Sequence, residues 1–174
     1  MRVAGIEVRR LLPVDAALYR DLRLEALKLG PEAFGSTFAA EHAAPLTWFA
    51  DRLESSVVFG AFDGADLVGT VGFFIKQGRK EAHKGVLWGM YVRPGARKAG
   101  VGKRLAEAVI DHASQCVELV QLTVVSGNKP ARRLYDSLGF IEYGIEKNSL
   151  KYDGRYWDEV LMAKSLLPHG APRS

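Results

Sequence analysis

Residues Val92 to Leu105, VRPGARKAGVGKRL, hold the densest set of anion-binding groups in this chain. Arg97, Lys98 and Lys103 surround Gly100 and Gly102, at the point where an apolar strand gives way to an amphipathic helix. The first backbone N–H groups of a helix lack intrahelical partners, and their partial positive charge favours a bound phosphate. Glycine lets such a ligand approach the main chain closely. The first expectation is therefore a phosphorylated cofactor. The plainer alternative is a glycine turn ahead of a helix, with a solvated basic face.

Three phosphate loops differ in spacing. The nucleoside-triphosphate loop needs Gly-x-x-x-x-Gly-Lys-Ser/Thr. Gly95 and Gly100 are correctly separated, but Val101 stands where lysine is required, and no hydroxyl follows to hold magnesium. The dinucleotide fingerprint needs a third glycine, where Leu105 stands. The pattern Arg/Gln-x-x-Gly-x-Gly/Ala is filled by Arg97, Gly100 and Gly102. Downstream, Asn128, Ala131, Leu134, Tyr135, Gly139 and Phe140 form N-x-x-A-x-x-L-Y-x-x-x-G-F.

The two patterns, in this order and spacing, make the chain resemble the GNAT superfamily of acetyl-coenzyme A-dependent N-acetyltransferases. The resemblance runs roughly from Ile6 to Leu166. It implies an α+β fold layered α/β/α, with a mixed, mainly antiparallel sheet of about seven strands and about four flanking helices. One parallel strand pair splays apart to admit acetyl-CoA. It implies pyrophosphate on the N–H groups from Arg97 through Lys98, Gly100, Val101 and Gly102 to Lys103. The pantetheine arm would lie along Met90 and Val92, where an N–H polarises the thioester carbonyl. Asn128 and Ala131 would meet the arm from the second element, and Tyr135 would be the general acid towards the departing thiolate. Plain helix capping by Asn128 is compatible with its role. The alternative for Tyr135 is a core tyrosine with a satisfied hydroxyl.

The resemblance assigns no general base. The amine acceptor must lose a proton, since an amine of pKa near ~10.4 is almost wholly protonated at neutral pH. Carboxylates in the segments that build the acceptor side are Glu25, Glu32, Glu41, Asp158 and Glu159. Glu41 is preferred because its loop should overlie the thioester, and His42 is the alternative. The loop from Pro31 to Pro45 combines Glu32, Glu41 and His42 with Phe34 and Phe38, and Trp48 follows. This suits a cationic amine with an apolar group, or else is a hydrophobic cluster with a polar rim. The expected reaction is direct attack by a primary amine of a small molecule or peptide in a ternary complex. The competing readings are a coenzyme A-binding sensor without chemistry and a transferase of longer acyl groups.

The rest of the chain bounds these readings. With 174 residues, 48% hydrophobic and 25% charged, the chain suits one soluble domain over 1–167, with a flexible tail over 168–174. The formal charge of +4 falls short of a nucleic-acid signature, and basic residues concentrate only around the two cofactor patterns. No apolar run approaches membrane-spanning length, and the N-terminus lacks a secretory apolar region. Cys116 is the only cysteine, which fits a reducing cytoplasm and is expected on a buried helical stripe. The four histidines and one cysteine show no metal-ligand spacing. A monomer or homodimer is expected.

Periodicity predicts a strand at Ile6–Arg10 and a helix at Val14–Leu29 with a stripe of Leu18, Leu22, Ala26 and Leu29. A loop follows to Pro45, then a short helix at Leu46–Leu53 with Thr47 as a possible cap. Strands are predicted at Val57–Phe62, Leu67–Ile75, Gly85–Val92 and Glu118–Val125. The helix between the last two buries Val101, Leu105, Val109 and Ala113, making them a parallel pair. Asn128 caps a further helix, and strands at Phe140–Lys147 and Tyr156–Met162 close the chain.

Overall fold

A computed structural model describes residues 5–168. Except for Pro168, the expected tail lies outside the described residues. The elements are β1 (Ile6–Arg10), α1 (Ala16–Leu29), α2 (Phe38–His42), α3 (Leu46–Ser55), β2 (Val57–Asp63), β3 (Asp66–Ile75) and β4 (Lys84–Val92). Then come α4 (Val101–Ala113), β5 (Leu119–Val125), α5 (Lys129–Ser137), β6 (Ile141–Tyr152) and β7 (Arg155–Ser165). The strands form one seven-stranded sheet in the order β1-β2-β3-β4-β5-β7-β6. Among the described residues, only β4 and β5 run parallel. The expected mixed sheet with one parallel pair is thus observed, flanked by five helices.

Each face of the sheet carries its own core. On one, α4 buries Val101, Leu105, Val109 and Ala113 against Val71, Leu87 and Val120, and Tyr135 and Phe140 extend the cluster. On the other, Tyr19, Leu22 and Ala26 of α1 pack with Phe49 and Leu53 of α3 over Val58 and Leu67. Alternation along the central strands sends neighbouring residues to opposite cores.

The α1 stripe differs from expectation. Leu18 is 42% and Leu29 60% exposed, while Tyr19, Arg23 and Leu27 are buried beside Leu22 and Ala26. Turning the helix inward by about one position buries the large Tyr19 ring, edge-on to Phe49 at 6.1 Å. The 31–45 segment is not all loop: Thr37 accepts a hydrogen bond from the Ala40 N–H and caps α2. Thr47 is not the cap of α3, because Pro45 occupies that position. Cys116 is exposed rather than buried: α4 has ended at Ala113, and Val117 turns inward instead. The β6–β7 hairpin also runs further than expected, to a tight turn at Asp153 and Gly154. Asn148, at φ 52°, is absorbed as a bulge whose N–H donates to Asp158 Oδ1.

Candidate active site

The parallel pair is joined only where Lys84, Gly85 and Val86 face Leu119, Val120 and Gln121. Beyond Val86 the strands separate. The cause lies in β4, where Trp88 pairs with Gly72 and Tyr91 with Thr70, so Gly89 and Met90 oppose the single residue Val71. This is a β-bulge with Gly89 left-handed at φ 63°, and a bulge bends its strand away from its neighbour. From Leu87 onward the β4 edge facing β5 has no strand to bond. A polar arm carrying amides can fill that gap as a surrogate strand.

The gap holds a cavity of about 90 Å³ lined by Met90, Thr123, Val125, Asn128, Ala131 and Tyr135, among others. Tyr135 is 4% exposed, and burial alone raises its pKa, so the phenol keeps its proton throughout the working pH range. Asn128 Oδ1 accepts from the Ala131 N–H at 3.3 Å, which commits the oxygen to capping α5 and leaves the amide NH₂ as its free donor.

At the end of β4 the chain turns through Lys98 at φ 63° and Gly100 at φ 74° into α4. Left-handed residues alternating with right-handed ones are the backbone pattern of a nest, which suits an anion. The N–H groups of Val101, Gly102 and Lys103 start the helix without intrahelical partners. The side chains add less. Arg97 Nε donates back to the Val92 carbonyl at 2.8 Å, and Lys103 lies 3.8 Å from Glu107. A Cβ on Gly102 would meet Leu134 Cδ2 at 3.3 Å, so this glycine also sets how closely α4 approaches α5. Gly102→Glu should weaken coenzyme A binding about tenfold or more by placing negative charge at the helix N-terminus. Calorimetry checks this, with circular dichroism confirming the fold.

A larger cavity of about 430 Å³ opens on the α1 side and shares Phe34, Leu87, Trp88, Gly89 and Thr123 with the gap. Its charged lining residues are Arg23, Lys76 and Glu159. Trp88 fits because Gly72 opposite it has no side chain: a Cβ there would come within 2.2 Å of the indole.

The carboxylates expected on the acceptor side separate here. Glu41 is 2% exposed, and both its oxygens are taken by Arg23, at 2.9 and 3.0 Å. Burial pushes its pKa up, but hydrogen bonds from Arg23 and the charges of Arg23 and Arg52 outweigh this and hold it below the ordinary value. A carboxylate so occupied is a poor proton acceptor, and Glu41 does not line the cavity. Glu25 accepts from Tyr91 Oη at 2.9 Å and Arg93 Nε at 3.0 Å, tying α1 to the end of β4. Burial and this carboxylate push the Tyr91 phenol up to about 12. Asp158 pairs with Lys147, and His42 is stacked on Phe38. Of the five carboxylates only Glu159 lines the cavity, where it accepts hydrogen bonds from Thr123 Oγ1 at 3.1 Å and Ser149 Oγ at 2.6 Å. The combination of Glu32, Glu41 and His42 with aromatics is therefore not the cavity wall, to which this segment contributes Ala33, Phe34 and Gly35.

The acetyltransferase (GNAT) family model matches residues 18–140. This chain belongs to the GNAT acetyltransferase family. The family uses acetyl-CoA. The chain is 31% identical over 142 residues to mycothiol acetyltransferase from Streptomyces scabiei, covering 80% of this chain but 44% of that protein. The chain thus spans less than half the length of this relative. It is 27% identical to the L-amino acid N-acetyltransferase AaaT of Escherichia coli, covering 77% of this chain and 85% of that one. Among solved structures, a GNAT acetyltransferase from Streptococcus pneumoniae superposes with a TM-score of 0.82 at 22% identity, covering 92% of this chain and 99% of that one. The yncA structure from Salmonella typhimurium, with its cofactor acetyl-CoA, superposes at 0.79 and 22% identity, covering 98% and 99%. Among the described residues, no helix is long and apolar enough to cross a membrane, and no three His, Cys, Asp or Glu side chains gather to hold a metal.

Sequence reasoning missed the Gly89 bulge and the wall of Arg23, Trp88 and Gln121. An isolated glycine within an apolar strand was the available signal for the bulge. Nothing in the sequence pairs Arg23 with Glu41.

Proposed function

We propose that this chain transfers the acetyl group of acetyl-CoA to the primary amine of a small molecule, by direct attack in a ternary complex. The observation that carries the reading is a pair of cavities at the splayed strands that share lining residues. Tyr135 lines the smaller on the α5 side, and the larger, with Arg23 of α1 in its wall, has room for an acceptor.

Acetyl-CoA supplies the activated thioester. The N–H groups from Gly100 to Lys103 hold its phosphates, and the unpaired β4 edge at Met90 and Val92 holds its arm. A thioester carbonyl accepts, so the N–H groups of the bulged strand are the donors towards it. Tyr135 donates a hydrogen bond to the sulfur as charge develops there. We assign the base to Glu159 instead of Glu41, because its carboxylate lies in the cavity beside Thr123, a residue that also borders the gap. Phe34 and Trp88 narrow the gap, which favours a short acyl group.

Release of thiol from acetyl-CoA, measured with and without amines, tests the reading. Amine-dependent release is expected, and binding without any amine-dependent release would leave a sensor. Glu159→Gln should slow turnover roughly tenfold at neutral pH, below the usual acid–base range because water can carry the proton. The deficit should close as pH nears ~10, where the amine loses its proton unaided. Parallel pH profiles for the two proteins would exclude Glu159 as base.

A further inference from the structure

We infer that the acceptor is a small amine that also carries a carboxylate, an amino-acid-like molecule whose carboxylate is bound by the free edge of Arg23; this rests on the acetyl-transfer reading above.

Arg23 is 7% exposed and lines the 430 Å³ cavity. Its Nε and Nη2 are spent on the two oxygens of Glu41. Its Nη1 has no hydrogen-bond partner among the described residues and lies 3.5 Å from where a Cβ on Gly89 would stand. The free N–H groups of a buried guanidinium therefore sit at the bulge that opens the gap. Phe34 and Trp88 stand beside the same group, its Cζ lying 5.1 and 5.8 Å from their ring centroids. The N–H groups of Nη1 lie in the guanidinium plane, and a carboxylate oxygen is the acceptor that matches them.

Charge points the same way. Two guanidiniums share one carboxylate: Arg23 at 2.9 Å and Arg52 at 3.6 Å from Glu41. Arg52 Nη1 is buried with no hydrogen bond, and Arg52 stacks on Trp48 at 4.0 Å. The cluster beneath the cavity thus carries one more cation than anion, with Arg52 partly exposed to solvent. Lys76 adds a second cation to the wall, its own partner Glu81 lying 3.7 Å away on the surface. Glu159 is the only anion of the lining. A wall bearing both signs, with cations in excess, complements a molecule holding an ammonium and a carboxylate a few bonds apart. Gly89, next to Arg23 Nη1, and Thr123, bonded to Glu159, both border the thioester gap. Binding the carboxylate at Arg23 therefore brings the amine to the reacting carbon. A dication or an uncharged hydrophobic amine would leave Arg23 Nη1 unanswered.

The test uses the wild-type chain and a ladder of acceptors: free L-amino acids with apolar, polar and charged side chains, their carboxamides, and the corresponding decarboxylated amines. Thiol release from acetyl-CoA is followed for each. The free acids should have kcat/KM roughly 100-fold above their amides, as expected for losing a charge-assisted pair at a desolvated site. In the Arg23→Gln, Glu41→Gln double variant, which removes both members of the buried pair and leaves Arg52 without its carboxylate, this ratio should fall towards one through a raised KM for the free acids. The KM for acetyl-CoA should stay within about twofold, as the pair lies away from the phosphate loop. Amides or decarboxylated amines that match or exceed the free acids would overturn the carboxylate assignment while acetyl transfer stands. Acetyl-CoA binding by calorimetry with no thiol release for any amine would overturn the transfer reading, and this inference with it. The wild-type ladder decides the matter even if the double variant does not fold.

Discussion

Tyr135→Phe is expected to slow acetyl transfer roughly 10²-fold, the lower end for acid–base catalysis, with coenzyme A affinity nearly unchanged. The substitution removes one oxygen from a ring packed at 5.7 Å against Phe140, so the local core should persist. A phenol near ~10 facing a thiol near ~8.5 makes full proton transfer uphill by about 2 kcal/mol in water. Burial raises the Tyr135 pKa further. The same desolvation raises that of the departing thiol, so the mismatch does not simply widen. What Tyr135 offers is a hydrogen bond that strengthens as negative charge builds on sulfur, in a gap with little water to compete. Its signature is a fall in kcat with KM for acetyl-CoA little altered. Single-turnover rates and calorimetry with coenzyme A measure the two separately. Equal single-turnover rates for the two proteins would reduce Tyr135 to a packing residue.

Glu41→Ala should cost roughly 3–5 kcal/mol of folding stability, the range for removing one member of a buried ion pair. It strands Arg23, which loses both its hydrogen bonds, and leaves Arg52 facing it without the intervening carboxylate. In a chain of this size that corresponds to a melting temperature lower by about 10 °C. Glu41→Gln should cost less, since one amide oxygen still accepts from Arg23. The pH dependence separates charge from packing. Glu41 has its folded pKa depressed, so its contribution is present above the unfolded carboxylate value of about 4.3 and fades as pH falls through the lower folded value. Denaturant midpoints compared at neutral pH and in this acid range should converge between wild type and Glu41→Gln. A neutral-pH midpoint for Glu41→Ala equal to that of wild type would show that the pair contributes nothing.

These two residues show how differently the site could be read in advance. The glycine loop at Arg97–Gly102 and the Asn128–Tyr135 element are each continuous in sequence, so their places in the fold could be read locally. A loop that presents backbone N–H groups needs glycines at set positions before a helix, and a helix that points one tyrosine inward needs its apolar residues in period. The strands and α4 were legible for the same reason, since their periodicity is local: Val101, Leu105, Val109 and Ala113 all reach the core. Cys116 was misjudged because a helical stripe was extended past a helix that stops at Ala113. The stripe of α1 was misjudged because leucines mark it as well as Tyr19 does, and only the presence of Phe49 decides between them.

By itself, then, the sequence determined the order of the strands along the chain, the places of α1, α3, α4 and α5 among them, and the mixed sheet with one parallel pair. Each depends on residues within about one element of one another. The tertiary structure alone separated the candidate carboxylates. Glu41 and Glu159 are both carboxylates in plausible segments, and what distinguishes them is the company of residues distant in the chain. Arg23 and Arg52 close around Glu41, while Thr123 and Ser149 present Glu159 to an open cavity. Whether a carboxylate anchors a wall or meets a substrate depends on desolvation and on neighbouring charges, and both arise only once distant segments have packed together.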